Sequence, residues 1–175
     1  MAVVSVQNSI QALSSGAVVI EFLRPYGVVH QTWPIPLAVA ALQEKAALTP
    51  EEQARVLEAY RGHLEPERRE RGYIQADMVI LSPSTPNLDS MLAKFDKPHY
   101  HDDDEVRFIF AGAGIFGFEP REGPPFTITV SAGDYIIIPA RSYHWFTLTP
   151  TRSIKAIRLF RETSGWTPHY KDATG

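Results

Sequence analysis

The chain contains no cysteine. That excludes a disulfide framework, a thiolate metal site and a thiol nucleophile, so any transition-metal centre has to be built from imidazole and carboxylate groups. It also lacks an excess of positive charge: 17 Lys and Arg against 20 Asp and Glu give a formal net charge of -3. A nucleic-acid partner wants a basic footprint, so none is expected. No apolar run reaches the length of about 18 residues that a transmembrane helix needs. The N-terminal "MAVVSVQNSIQALSSGAVVIEFL" lacks the basic start and unbroken apolar stretch of a signal peptide. A cytoplasmic protein with no membrane contact is the expectation. Internal repeats and low-complexity tracts are absent too.

What is present is ordinary in bulk. The 175 residues, 44% of them hydrophobic, suffice for one domain with a sizeable core. The expected division is a single domain, 1–175, with an N-terminal α+β portion (1–96), a β-barrel core (97–162) and a tail (163–175). In the first portion, "GAVVIEFLRPYGVVHQTWPI" reads as two strands around a turn at Arg24 to Gly27. Thr49 as N-cap, Pro50 at the first helical position and Glu52 at the capping-box position open a helix. Its apolar stripe is Val56, Leu57, Tyr60 and Leu64. The charged "EPERRERG" reads as its solvated end, and that exposed charge favours a monomer. A strand is expected in "GYIQADMVILSP" and a short helix in "PNLDSMLAKF". From Lys97 onward short β-rich runs follow one another, at 105–111, 114–118, 125–130, 135–139, 143–148 and 154–160, the pattern of a β-sandwich or barrel.

The stretch "KPHYHDDDEVRFIF" concentrates the chemistry. Residues of one parity share a face of a strand. His99, His101, Glu105 and Arg107 are all odd, so an extended chain aims them into one space, with Asp102 to Asp104 in an intervening turn or bulge. Downstream, His144 shares parity with Phe146 and Leu148 and so points inward. Three imidazoles and a carboxylate form a nitrogen and oxygen ligand set suited to Fe(II), Ni(II), Mn(II), Cu(II) or Zn(II). In an octahedral shell they leave two positions for a chelating substrate. Taken alone, His144 also fits a core histidine bonded to backbone, and the three aspartates fit a solvated loop. His30 and His63 read as surface residues and His169 as part of the tail. Arg107 and Arg158 lie mid-strand among apolar neighbours and need partners there. Those are either an Asp or Glu, or an anionic ligand held by the planar guanidinium.

These residues resemble the cupin motifs. The first, His-x-His, then Glu, six residues and Gly, is met by His99, His101, Glu105 and Gly112. The second, Gly, five residues, Pro and then His, is met by Gly133, Pro139 and His144. Two positions depart from the general pattern: Arg141 stands where a chain-turning Gly is usual, and Leu148 where an Asn is usual. Within the cupins, "DEVRFIFAGAGIF", "PARSYHWF", "KAIRLFRETSGW" and the preceding "RGYIQADMVILSP" resemble the acireductone dioxygenase family of methionine salvage, over roughly residues 17–170.

The resemblance implies a mainly β cupin, a double-stranded β-helix or jelly-roll barrel with an N-terminal α+β cap. It implies one Fe(II) or Ni(II) per chain, held by His99, His101, Glu105 and His144. Arg107 and Arg158 match the arginines that face the substrate, and Phe95, Phe146 and Trp166 match aromatic pocket positions, each equally readable as core packing. The implied reaction cleaves 1,2-dihydroxy-3-keto-5-methylthiopentene with O2. The iron form gives formate and 4-methylthio-2-oxobutanoate, and the nickel form gives formate, carbon monoxide and 3-methylthiopropionate. The arginines are expected to clamp an enediolate dianion, and Glu105 is the carboxylate candidate for proton removal. Rival readings are another three-His-one-Glu cupin enzyme, such as a quercetinase-like dioxygenase or a sugar isomerase, and a non-catalytic cupin that senses a metabolite or metal.

Overall fold

Short β-rich runs in the second half of the chain, several of them buried on both faces, form strands that pack as two antiparallel sheets, face to face. The computed structural model describes residues 1–171. The chain order is β1 (Val3–Val6), α1 (Gly16–Leu23), β2 (Val29–Thr32), α2 (Leu37–Ala40), α3 (Pro50–Ala59), α4 (Arg61–Arg71), β3 (Gln75–Leu81) and α5 (Leu88–Leu92). Then follow β4 (His99–Tyr100), β5 (Glu105–Phe118), β6 (Phe126–Ser131), β7 (Asp134–Ile138), β8 (His144–Leu148), β9 (Ile154–Phe160) and β10 (His169–Tyr170). One sheet runs β1-β6-β5-β8-β4-β10 and the other β2-β7-β5-β9-β3. The mainly β, barrel-like architecture is the one anticipated, and β1, β2 and β3 from the first 96 residues complete both sheets.

The strand β5 belongs to both sheets, and this joins the two halves of the barrel. Its first half pairs with β7 and β9, its second with β6 and β8. The sequence suggested two strands, 105–111 and 114–118; the chain instead continues through a register shift between Ile109 and Ala111. Gly112 makes the crossing possible. Its φ is +75°, and a Cβ there would sit 2.1 Å from the Ser153 carbonyl oxygen, so no other residue fits.

The pleat then separates two cores. Ile109, Ile136, Ile138, Ile154 and Ala156 face inward between the sheets. Phe108, Phe110, Tyr135, Ile157 and Leu159 face outward, where Trp33, Val56 and Tyr60 cover them. Trp33 stacks on Tyr135 with ring centroids 4.2 Å apart. The covering helix α3 starts as anticipated: Thr49 accepts from the Glu52 amide at 3.1 Å and Glu52 accepts from the Thr49 amide at 3.0 Å. Such a capping box contributes about 1 kcal/mol.

Several expectations are corrected. Residues 16–23 form a helix, not a strand. Their β-branched residues favour a strand, but Val19 and Leu23, four apart, supply the buried face of a helix, and packing overrides propensity. The charged end is not wholly solvated: Glu67 is buried and accepts a hydrogen bond from the Tyr135 hydroxyl at 2.5 Å. His30 is buried as well, with Nε2 2.9 Å from Asp134 Oδ1. His63 is half-buried, its ring 4.9 Å from that of Trp33. The tail residues through Lys171 are tied down, since β10 pairs with β4 and the Lys171 amide donates to the Pro98 carbonyl at 3.0 Å. The remainder of the expected tail, 172–175, lies outside the described residues. Among the described residues, no helix is long and apolar enough to cross a membrane.

Candidate metal centre

Strand pairing brings the two distant histidine segments together. His99 in β4 is the register partner of His144 in β8, so the two imidazoles stand directly opposite, with centroids 4.7 Å apart. His101, two residues on and hence on the same face, lies 4.9 Å from His99 and 5.4 Å from His144 between ring centroids. Each of the three histidines offers a nitrogen, and these atoms all lie within 4.8 Å of one another. The chain bends through residues 102–103, and Glu105 then opens β5 at the rim of the cluster. Its Oε2 is 2.7 Å from His144 Nε2 and 3.5 Å from His101 Nε2. Of the five residues that parity aimed inward, the three histidines and Glu105 thus lie together, with Arg107 beside Glu105.

The donor set fits a divalent cation. His99 Nδ1 donates to the Lys97 carbonyl at 2.7 Å, and His144 Nδ1 donates to the Ser142 carbonyl at 2.8 Å. A carbonyl accepts only, so Nδ1 carries a proton in each; the His99 Nε2 lone pair then faces the cluster, and His144 Nε2, which shares a proton with Glu105, becomes a ligand when that proton leaves. His99 Nε2 is buried with no hydrogen-bond partner among the described residues. An orphaned buried lone pair is costly unless something coordinates it.

Charge sharpens the fit. Burial pushes the Glu105 carboxyl up, but the Arg107 guanidinium and the bonds from His101 and His144 outweigh it and hold the group well below the usual carboxylate range. Burial drives the His99 imidazolium down, which keeps that ring neutral and able to ligate. His144 runs the other way. Burial lowers it, yet the bond to Glu105 prevails and raises it, so an ion displaces a proton there.

Arg107 and Arg158 are register partners across β5 and β9, and both line the same cavity as the cluster. The acidic partners that the sequence called for are present, and both guanidinium groups still face the cavity. Arg107 Nη2 is 3.2 Å from Glu105 Oε1. Arg158 donates through Nε and Nη2 to the two oxygens of Asp77 at 2.7 and 2.6 Å, and its guanidinium lies 4.4 Å over the Trp166 ring. Asp77 was missed. The signal was available, because it is a lone acidic residue in the middle of "YIQADMVIL", with the parity of Val79 and Leu81.

The cavity measures about 220 Å³ and is otherwise apolar, with Val79, Leu81, Met91, Leu92, Ile109 and Phe116 in its wall. It is smaller than the roughly 300–1,000 Å³ common for drug-sized ligands, which limits it to a small molecule. Phe95, Phe146 and Trp166 all line it. Phe95 is 37% exposed at the mouth, and Phe146 packs on Phe116 with centroids 4.9 Å apart. Gly114 lets the Phe146 ring lie there, since a Cβ would meet it at 2.5 Å.

The aspartate run is not a solvated loop. Asp104 accepts from the Tyr73 hydroxyl at 2.7 Å and from the Ala140 amide at 2.9 Å, which ties the loop before Glu105 to the loop before His144. Asp103 pairs with Arg161, and Asp102 with His169 at 2.9 Å. Arg141, at the usual glycine position, keeps the left-handed turn with φ +64°.

Comparison with known proteins gives a consistent answer. The model of the ARD/ARD' family matches residues 35–168. An acireductone dioxygenase of Microcystis aeruginosa is 39% identical over 173 residues, covering 98% of this chain and 94% of that protein. One from Bacillus pumilus is 37% identical over 175 residues, 99% of each chain. A solved structure described as an acireductone dioxygenase from Bacillus anthracis with a cadmium ion in its active centre superposes with a TM-score of 0.90 at 38% identity. That match covers 97% of this chain and 98% of that one.

Proposed function

Because the chain belongs to the ARD/ARD' family, an acireductone dioxygenase family, we propose that it cleaves 1,2-dihydroxy-3-keto-5-methylthiopentene with O2 at the cluster of His99, His101, Glu105 and His144. The carrying observation is the convergence of three imidazoles and one carboxylate beneath two arginines in one small apolar cavity. The ion proposed is Fe(II) or Ni(II), one per chain. When bound, it would supply a Lewis acid that orients and polarises substrate oxygen.

The chain's own residues do the rest. Three neutral imidazoles and ionised Glu105 hold the ion. Arg107 and Arg158, always protonated, stabilise the anionic enediolate electrostatically and lower the pKa at which it forms. Glu105 is the ionised carboxylate at the cluster. It accepts a proton only as a weak base, and the guanidinium groups reduce what is asked of it. Phe95, Phe146 and Trp166 close the apolar side and keep water from the reacting carbons. One O2 is consumed per substrate in either outcome: formate with 4-methylthio-2-oxobutanoate in the iron form, or formate, carbon monoxide and 3-methylthiopropionate in the nickel form.

The test is anaerobic titration of the Fe(II)-loaded and Ni(II)-loaded protein with an acireductone, followed by a pulse of O2. Formate release in both, with carbon monoxide only from the nickel form, is expected. Tight binding with no turnover in either form defeats the reading and leaves a binding protein.

A further inference from the structure

The cavity wall below the arginines is laid out in rows. Strands β3, β9 and β5 lie side by side, and residues opposite one another in neighbouring strands share a face. Asp77, Arg158 and Arg107 stand abreast. Two residues further along, Val79, Ala156 and Ile109 stand abreast. Two further again come Leu81 and Ile154, with Gly112 in the third place. Val79, Leu81, Ile109, Ile154 and Ala156 all line the cavity, whereas Phe108, Ile157 and Leu159 belong to the outer core.

The two lower rows carry no polar side-chain atom, so only an apolar part of a ligand lies against them. In the middle row Ala156 contributes a single methyl between two branched side chains. It makes a hollow directly below Arg158, and Leu81 and Ile154 form the floor beyond it. A substrate head fixed at the histidine cluster and the arginine row has its tail directed along this hollow.

We propose that Ala156 sets the tail length the enzyme accepts. It is a specificity-determining residue that admits a short, unbranched apolar tail and rejects longer or branched ones against the Leu81 and Ile154 floor. The assignment rests on the acireductone dioxygenase reading above and goes beyond it by naming what limits the substrate class. An added side-chain carbon at position 156 shortens the hollow, and removal of the methyl lengthens it.

The experiment measures kcat/KM for holoenzyme loaded with a single metal on a series of acireductones with straight-chain tails of increasing length. Wild type, Ala156→Val and Ala156→Gly are compared, with metal content and circular dichroism recorded for each. Wild type is expected to show a length optimum. Ala156→Val moves the optimum to shorter tails and cuts the ratio of kcat/KM between long and short substrates roughly 10-fold or more, chiefly through KM. Ala156→Gly moves it to longer tails. The glycine variant introduces no clash, so the test stands even if the valine variant does not fold. Unchanged length profiles, or losses equal at every length, overturn the assignment. If wild type turns over the series but the optimum does not move, only the role of Ala156 fails. If wild type turns over none, the proposed function fails and takes this inference with it.

Discussion

Stripping the divalent ion is expected to cost the protein several kilocalories per mole. Imidazoles with exposures of 0, 8 and 2% converge at residues 99, 101 and 144. His99 Nε2 finds no hydrogen-bond partner among the described residues, and an unsatisfied buried polar group costs about 1–3 kcal/mol. Coordination removes that cost, and only the folded chain offers it, because Glu105 and His144 are 39 residues apart in sequence. An ion at a thousand times its Kd adds about 4.1 kcal/mol. For a chain of this size each kcal/mol moves the Tm by about 2–4 °C, which makes the expected shift roughly 8–16 °C. Differential scanning calorimetry at pH 7, on chelator-stripped protein with and without added Ni(II), reads it directly. His99→Ala removes one ligand and is expected to lose most of the shift. A wild-type shift below about 2 °C, or an equal shift in His99→Ala, refutes the assignment of these side chains as ligands.

Two further outcomes follow from Asp77 with Arg158 and from Asp134 with His30. Asp77→Asn keeps the shape at Arg158 but removes its charge partner. The half-exposed pair is worth only about 0–1 kcal/mol of stability, so the melting point barely moves, while kcat falls by about 10–100-fold as the guanidinium loses its fixed position. KM is expected to hold or fall, and steady-state kinetics showing a raised KM with unchanged kcat would contradict the positioning role. Asp134 is fully buried; burial pushes its carboxyl up, but the bond from His30 outweighs this and the pKa is lowered. Its contribution to stability is therefore present above the ordinary carboxylate pKa and is lost as pH falls through the depressed folded value. Asp134→Asn is expected to cost about 1–3 kcal/mol at neutral pH, with the gap from wild type closing toward pH 3. Urea unfolding across a pH series checks it, and a gap that widens on acidification reverses the sign argument.

How far the sequence could be read depended on the kind of signal. Short β-rich runs between Gly, Pro and acidic turns located β9 at 154–160 and gave β6, β7 and β8 to within a residue or so. Strand parity put His99, His101, Glu105 and Arg107 on one face. Local propensity did worse. In residues 16–23 the β-branched side chains argued for a strand, and only the burial of Val19 and Leu23 against the barrel makes a helix. Continuity of β5 was hidden because its break in pattern at Gly112 looks like a turn, when it is a kink at which one strand changes sheets. Buried polar pairs were the least legible. Glu67 with Tyr135, His30 with Asp134 and Asp104 with Tyr73 join residues 68, 104 and 31 positions apart. Nothing in a charge run tells a solvated carboxylate from one that folding will meet with a hydroxyl or an imidazole.

The placement of carboxylates beside both arginines explains how the site is matched to its substrate's charge. Arg107 and Arg158 stand on the cavity wall near the histidines, Arg107 against Glu105, which also lines the wall, and Arg158 against Asp77 behind it. Asp104, the other carboxylate there, is turned to Tyr73 and the Ala140 amide. The two ion pairs sum to zero, and Asp104 has its own cation in Arg161 at 3.7 Å, so a divalent ion adds two positive charges to the two pairs, the complement of the proposed enediolate dianion. Without the carboxylates the same wall would carry four, and would hold any small polyanion without regard to its shape. Pairing also fixes each guanidinium before substrate arrives, so the stabilising donors need little reorganisation as charge develops. The arginines are thus held by the fold, and under the proposed clamp role a variant that frees Arg158 should bind anions more readily while turning them over more slowly.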